Sequence, residues 1–355
     1  MKVIFIPDYR KGNPYQKLLA DSLVKEGVDI YFSSTFSLLS ILNQKPDILH
    51  IHWPHPFLIA RSRKKTVFKS AIFTGKLILL KLFGIKIVWT VHNIVNHERK
   101  FSSLELFFSK ILTKLCNKLI VHCPSAKEEV IKVYGVSDSS IAVIPHGNYI
   151  QIYKNEISKA QARKQLQLSP EFITFLHFGQ IRPYKGVLEL IEAFKKLNYP
   201  QAKLLIAGRP LNNEVANAVM RRCIGVKHIR TIFKFIPDDE IQMYMYAADI
   251  IVLPYRDILT SGAVILAMSF GKPVIAPAIG CIPDVLDSEG SILYDPSEKE
   301  SLLKAMKQAL DADLKKMGEH NFGLAKHLRW DKIAKRTYEV YQECLKEKEK
   351  EELAR

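Results

Sequence analysis

A chain of 355 residues exceeds one ordinary α/β unit, and two domains of roughly 150–200 residues each are the natural expectation. Its 48% apolar content is enough for two packed cores and excludes wholesale disorder. The formal net charge of +16 points to anionic partners, while the five cysteines form no CxxC pair and no His/Cys cluster of the kind that holds a metal.

The opening MKVIFIPDY stops at Pro7-Asp8, too short for a signal-peptide core, and reads as a first strand over Val3–Pro7. A helix over Pro14–Glu26 and strands over Asp29–Phe32 and Ile48–His52 follow. Next come a basic helix (Lys64–Phe83), a strand (Lys86–His92), a helix (Leu104–Cys116), a strand (Lys118–His122), a helix (Ala126–Tyr134) and a strand (Ile141–Pro145). Between Arg61 and Lys118 thirteen Lys/Arg stand against two acids, Glu98 and Glu105. These cations alternate with Phe68, Ile72, Phe73, Leu77, Leu79, Leu80, Leu82 and Phe83, then with Leu104, Leu106, Phe107, Phe108, Ile111 and Leu112, a combination that suits an anionic membrane surface. The best candidate for a bilayer span, Ala71–Trp89, is broken by Lys76, Lys81 and Lys86, so peripheral association is expected and no crossing. Nucleic acid is not an expected partner, because no stacking-aromatic or helix-turn-helix pattern accompanies the charge.

The polar stretch from Asn148 to Pro170 marks a boundary. Beyond it a second series begins, with strands over Ile173–Phe178, Lys203–Ala207, His228–Phe233, Asp249–Pro254 and Pro273–Ala276. Helices over Gly186–Leu197, Asp238–Ala247, Ser261–Phe270 and Glu300–Ala312 alternate with them or follow. Strands alternating with helices predict parallel sheets covered by helices, with ligands held just beyond the carboxyl ends of the strands.

Two such strand ends carry anion-binding chemistry. After Ile173–Phe178, the turn Gly179-Gln180-Ile181-Arg182-Pro183-Tyr184-Lys185-Gly186 opens a helix. Arg182 and Lys185 at a helix start suit a diphosphate, since backbone amides and the positive dipole end favour anions. After Asp249–Pro254, Thr260, Ser261 and Gly262 offer hydroxyls and amides at a second helix start, or a plain Ser/Thr cap. In the first half, His50 and His52 point to one side of their strand, His52 nearer its end, as acceptor contacts or structural histidines; no metal is expected there. His92 ends its strand, and Glu98 is the nearby carboxylate suited to act as a general base.

The segments FGQIRPYKG (178–186), LLIAG (204–208), FKFIPDDEIQMYMYAADIIVLPY (233–255), LAMSFGKPVIAPAIGCIPDVL (266–286) and RWDKIAKRTYEVYQECL (329–345) together resemble the GT-B-fold glycosyltransferases, nearest to the group 1, family 4-like branch of bacterial surface-polysaccharide synthesis. The resemblance implies an α/β fold of two facing Rossmann-like domains, with a C-terminal helix crossing back to the first. The corresponding boundaries are 1–160 for an acceptor domain, 161–325 for a nucleotide-sugar domain and 326–355 for the returning helix.

Residue by residue, the resemblance makes Lys185 the phosphate-binding lysine, places the nucleotide base at Ile236 and puts the donor phosphates and sugar at Thr260–Gly262. His92 matches a histidine beside the reacting carbon, and His146, in the Pro145-His146-Gly147-Asn148 turn, lines the cleft. Gly12 and Asn13 match a loop that approaches donor phosphate and acceptor. The sequence also departs from the family. Gln180 stands where an arginine is usual, which gives Arg182 that task. Ile258 and Leu266 replace a pair of glutamates, leaving Asp257 as the neighbour able to hold the donor sugar.

These readings converge on a hexosyltransferase that moves a sugar from a GDP- or UDP-linked donor to a lipid-linked glycan or glycolipid. It would work at the inner face of a membrane, without cofactor or metal, and the resemblance favours retention at the anomeric carbon. A GT-B-fold nucleotide-sugar 2-epimerase and a non-catalytic sugar-nucleotide-binding protein are the alternatives.

Overall fold

The computed structural model describes residues 1–96 and 98–353, with side chains to Lys346. The chain forms two compact units, Met1–Gly147 with Arg329–Arg355, and Asn148–Leu328. The first runs β1 (Lys2–Ile6), α1 (Pro14–Lys25), β2 (Asp29–Phe32), α2 (Leu38–Gln44), β3 (Ile48–Ile51), α3 (His55–Leu58), α4 (Arg63–Leu82), β4 (Lys86–Thr90), α5 (Ser102–Leu115), β5 (Lys118–Val121), α6 (Pro124–Tyr134) and β6 (Ile141–Val143). The second runs α7 (Lys159–Gln165), β7 (Ile173–Phe178), α8 (Val187–Leu197), β8 (Ala202–Ala207), α9 (Asn213–Cys223), β9 (Ile229–Ile232), α10 (Ile241–Ala247), β10 (Ile250–Val252), α11 (Gly262–Ser269), β11 (Val274–Pro277), α12 (Ile282–Val285), β12 (Ser291–Tyr294), α13 (Ser301–Leu310) and α14 (Leu314–His327). The chain then returns to the first unit as α15 (Trp330–Leu353).

In the first unit six parallel strands lie in the order β2-β1-β3-β4-β5-β6. Their near-continuous apolar runs fit a sheet covered on both faces. Helix α1 starts at the cap Asn13, whose side chain accepts from the Tyr15 amide, and Pro14 takes the first helical position, where its missing N–H costs nothing. Its inner face (Tyr15, Leu19, Leu23) packs into one core with Val3, Phe5 and Ile48 of the sheet and with Ile333, Ala334, Val340 and Tyr341 of α15. The closing helix is thereby part of the first unit's core. Helix α4 buries Phe73, Leu77 and Leu80 but leaves Phe68, Leu82 and Phe83 exposed. No described helix is long and apolar enough to cross a membrane.

The second unit repeats the design with the order β12-β11-β10-β7-β8-β9. Strands β7, β8 and β9 extend to one side; the chain then crosses back and places β10, β11 and β12 on the other. The order therefore reverses between β7 and β10, paired through Phe175–Ile250 and Leu176–Ile251. The loops leaving these two strands diverge and open a crevice at their carboxyl ends. Gly186 closes one side of it at φ +67°, and a Cβ there would lie 1.8 Å from the Pro254 carbonyl oxygen. Only glycine lets the turn after β7 rest on the strand end of β10.

Helices α2, α3, α9, α12 and α14 and strand β12 escape the sequence reading: α2, α3, α12 and β12 are too short to show a period, and α14 is interrupted by Gly318 and Gly323. Gly318 is needed because α14 passes close to the Gly271 carbonyl, 2.1 Å from where a Cβ would sit.

Gly186→Ala should destabilise the second unit by about 2–4 kcal/mol, through backbone overlap and a left-handed conformation that alanine resists. Hydrogen exchange at β7 and β10 measures it; unchanged protection would show that the two loops can part freely.

Candidate functional site

In the second unit, β7 ends at Phe178 and Gly179 turns the chain at φ +114°. Ile181 anchors the turn, donating its amide to Arg209 O (2.9 Å) and accepting from Leu211 N (3.0 Å). Lys185 then folds back over Gly179. Its Nζ lies 3.3 Å from the position a Gly179 Cβ would take and 5.8 Å from the centre of the Tyr255 ring. The ammonium makes no hydrogen bond among the described residues, and burial, with Arg182 nearby, lowers its pKa to about 8. A desolvated cation at a strand end is a site that an anion completes. Arg182 donates from Nε to Gln180 (2.9 Å), so the arginine displaced by two positions is held on the same turn.

The loop after β10 is tied to this turn. The Arg256 amide donates to Tyr184 O at 2.8 Å, and the Tyr184 and Tyr255 rings lie parallel at 6.4 Å. The Tyr255 hydroxyl meets Ser261 Oγ at 2.8 Å, and the same Oγ accepts from the Val264 amide as the cap of α11. Tyr255 thus links Lys185 to the start of α11. Thr260, Ser261 and Gly262 sit half-buried there, with first-turn amides that the helix itself cannot use. Ile236, buried, follows β9 at the same edge of the sheet. Asp257 is exposed, while Ile258 and Leu266 are buried and apolar.

In the first unit, histidines from four neighbouring strand ends converge. His50 and His52 lie on and just after β3, His92 after β4, His122 after β5 and His146 after β6. Tyr15 of α1 stands in their midst, with ring centres 5.9, 5.0, 5.4 and 4.9 Å from His52, His92, His122 and His146. Trp53 stacks on His92 at 4.1 Å. His122 Nδ1 lies 2.9 Å from the Ile144 carbonyl, which can only accept, so that nitrogen carries the proton and Nε2 is an acceptor. His92 Nδ1 must then donate to His122 Nε2 (3.3 Å), and His52 Nδ1 to His92 Nε2 (3.4 Å). The chain ends at His52 Nε2, a buried acceptor without a hydrogen-bond partner among the described residues. Both His92 ring nitrogens are therefore engaged by neighbours, and no three His, Cys, Asp or Glu side chains of the described residues are arranged to hold a metal ion.

Glu98 is exposed on the turn after β4. The buried carboxylate of this region is instead Glu105 of α5, which the sequence reading did not single out. It accepts from the Asn96 amide at 3.0 Å and also holds the Asn96 side chain and His55, fixing the loop that follows His92. Asn13 is used as the cap of α1, and Gly12 is exposed beside it. Arg10 pairs with Asp8 at 2.9 Å, which lowers the carboxyl's pKa. His122, Tyr255 and Glu105 each stand inside an apolar run, and that buried polar placement was the available signal.

Burial holds His50 and His146 at about 3 and His122 at about 4, with His52 and His92 also well below 6.5. The folded state thus keeps them neutral, and the unfolded state binds protons first as pH falls. Their contribution is complete above about pH 6.5 and is lost towards about pH 4. All three tryptophans (Trp53, Trp89, Trp330) lie in the first unit, so their fluorescence reports its unfolding alone. Denaturant midpoints followed this way should fall steadily across that interval; a flat profile would show that these imidazoles are not buried neutral.

Comparison with known proteins agrees with this geometry. Residues 20–148 match the family model Glycosyltransferase Family 4, and residues 158–323 match Glycosyl transferases group 1. Over 339 residues the chain is 27% identical to a GDP-mannose:glycolipid 4-beta-D-mannosyltransferase of Xanthomonas campestris pv. campestris, covering 94% of this chain and 89% of that protein. A shorter match, 26% over 211 residues, covers 56% of this chain and 55% of a lipopolysaccharide 1,2-N-acetylglucosaminetransferase of Salmonella typhimurium. The fold is similar to that of a sucrose-phosphate synthase from Thermosynechococcus elongatus, with TM-score 0.76, 17% identity and coverage of 97% and 98%. It is equally similar to Anabaena Alr3699/HepE in complex with UDP-glucose, with TM-score 0.76, 14% identity and coverage of 97% and 100%. With one family model on each half and two parallel six-stranded sheets beneath them, the chain belongs to the GT-B glycosyltransferases, in their group 1 branch.

Proposed function

We propose that the protein transfers mannose from a GDP-linked donor to a lipid-linked glycan, with inversion at the anomeric carbon and without a metal ion. The observation that carries the donor reading is Lys185, a desolvated ammonium without a hydrogen bond among the described residues, set over Gly179 where the strand order reverses. Lys185, Arg182 and the first amides of α11 stabilise the charge that grows on the leaving diphosphate, the work a divalent ion does elsewhere. Mannose and GDP are favoured by the similarity to a GDP-mannose-dependent relative along nearly the whole chain.

Inversion replaces the retention that the resemblance favoured, and two features support it. Ile258 and Leu266 leave apolar side chains where retaining relatives present carboxylates. The mannosyltransferase relative is named for a β-linkage, and GDP-mannose is an α-linked donor, so that chemistry inverts. Inversion needs a base for the acceptor hydroxyl. Glu98 takes that role because it is an exposed carboxylate on the loop that leaves β4 after His92, whereas His92 has both nitrogens occupied and shapes the wall.

The acceptor reading rests on α4 and α5. Phe68 (70% exposed), Leu82 (78%), Phe83 and Phe107 lie bare among the exposed Lys64, Lys65, Lys69, Lys81 and Lys110. Apolar side chains inside a cationic surface match the headgroup region of an anionic leaflet.

Incubating the full chain with GDP-mannose and a polyprenyl-diphosphate glycan should release GDP only when acceptor is present and yield a β-linked mannoside by NMR. An α-linked product sinks the inverting mechanism, and acceptor-independent conversion of donor makes the protein an epimerase. Lys185→Ala should raise the barrier by about 2–4 kcal/mol and weaken GDP binding; wild-type turnover would remove it from the phosphate site. Replacing Lys64, Lys65 and Lys69 by Glu should release the protein from phosphatidylglycerol vesicles, and vesicle binding that persists in this variant contradicts the docking surface.

A further inference from the structure

At the opposite edge of the second sheet, where β10 and β11 begin, lies a cavity of about 520 Å³ that the donor site does not use. The donor cradle occupies the carboxyl ends of these strands, so the whole strand length separates the two. One wall is aromatic. Tyr153 and Phe270 lie near-parallel at 6.3 Å, Tyr246 meets Phe270 edge-on at 5.6 Å, and Phe322 of α14 completes the wall. The Tyr153 hydroxyl has no hydrogen-bond partner among the described residues.

The opposing chemistry is cationic. Asp249, the one acid at the floor, is fully used: it pairs with Arg163 and Lys159 and accepts from the Thr174 amide at 2.7 Å. Glu319 at the mouth pairs with Lys315. Lys272 is left over. Its Nζ donates once, to Ala248 O at 2.9 Å, and stands 5.5 Å from the Tyr246 ring centre, with its remaining protons unclaimed among the described residues. Burial, with Lys159 and Arg163 nearby, lowers its pKa to about 8, and Asp249, shared with those two cations, offsets this only in part.

Flat ring faces beside a phenol hydroxyl suit the C–H face and hydroxyls of a pyranose, and an under-neutralised ammonium suits one negative charge. The ring pairs are edge-on or more than 6 Å apart, so they offer no slot for a sandwiched planar base. We propose that this cavity is a second ligand site, selective for a small anionic sugar carrying a phosphate or a carboxylate.

Saturation-transfer NMR on the full chain tests it with glucose 6-phosphate, glucuronic acid, glucose and inorganic phosphate as probes. The two anionic sugars should receive saturation at their ring protons and bind at least about tenfold more tightly than glucose or phosphate. Lys272→Met should weaken them about tenfold; Lys315→Ala, at the exposed mouth, should weaken them less while leaving the fold intact. Excess GDP and Lys185→Ala should change nothing. Equal binding of glucose or of phosphate would overturn the selectivity. Competition by GDP or loss on Lys185→Ala would place the ligand in the donor cradle, and no saturation at about 10 mM probe would leave the cavity without this role. Because the readout is binding, it stands or falls separately from the transferase reaction.

Discussion

The strand-order reversal between β7 and β10 is the constraint on which the proposed donor site depends. Parallel strands send all their exits to one edge, and elsewhere in the sheet consecutive exits run the same way and cover each other. Where the order reverses they part, and two loops of unrelated sequence become neighbours. Gly186 on the Pro254 carbonyl and the Arg256 amide on Tyr184 O are the contacts that join them. The first sheet reverses between β1 and β3, and the loop Asp8–Asn13 and His52 emerge at that point. Both units therefore put their chemically versatile residues where the backbone geometry leaves space.

Electrostatics then decides what that space can hold. A lysine withdrawn from water with no hydrogen bond among the described residues is destabilising by itself, and its lowered pKa expresses that cost. On the proposed reading a diphosphate would supply the compensating charge and turn that cost into affinity for the ligand. The histidine set of the first unit follows the opposite rule. Burial there keeps the rings neutral, and a single backbone carbonyl at Ile144 fixes the direction of a chain of hydrogen bonds three residues long. The first device is built to attract an anion; the second holds a wall rigid by hydrogen bonding without charge.

Much of this was legible in the sequence because the relevant signals are local. Strand β7, its glycine turn and the lysine before Gly186 occupy one continuous segment, and the Ser261 cap with its helix occupies another. Apolar runs bounded by Gly and Pro located most of the strands for the same reason. What stayed hidden depends on residues distant in sequence. Glu105 became significant only when α5 carried it under Asn96, and Tyr255 only when its ring met Lys185 and its hydroxyl met Ser261. His122 is an ordinary strand-end residue until β4 places His92 beside it. Strand β12 was missed for a different reason: four residues at a sheet edge are too few to show a period.

The two apolar positions in the donor loop bear on chemistry as well as ancestry. A Cβ on Gly280 would lie 2.2 Å from Ile258 O and 2.7 Å from Leu259 O, and the Cys281 amide donates to Leu259 O at 2.8 Å. The loop is thus pinned by its backbone against the segment leading into α12, with Ile258 and Leu259 turned inward and buried. Restoring a carboxylate at position 258 would bury a charge in a pocket shaped for a hydrocarbon, so the loss of the family's glutamate is built into the packing. On the proposed reading, the backbone amides at the start of α11 and Asp257 are the second-unit groups left to orient the sugar.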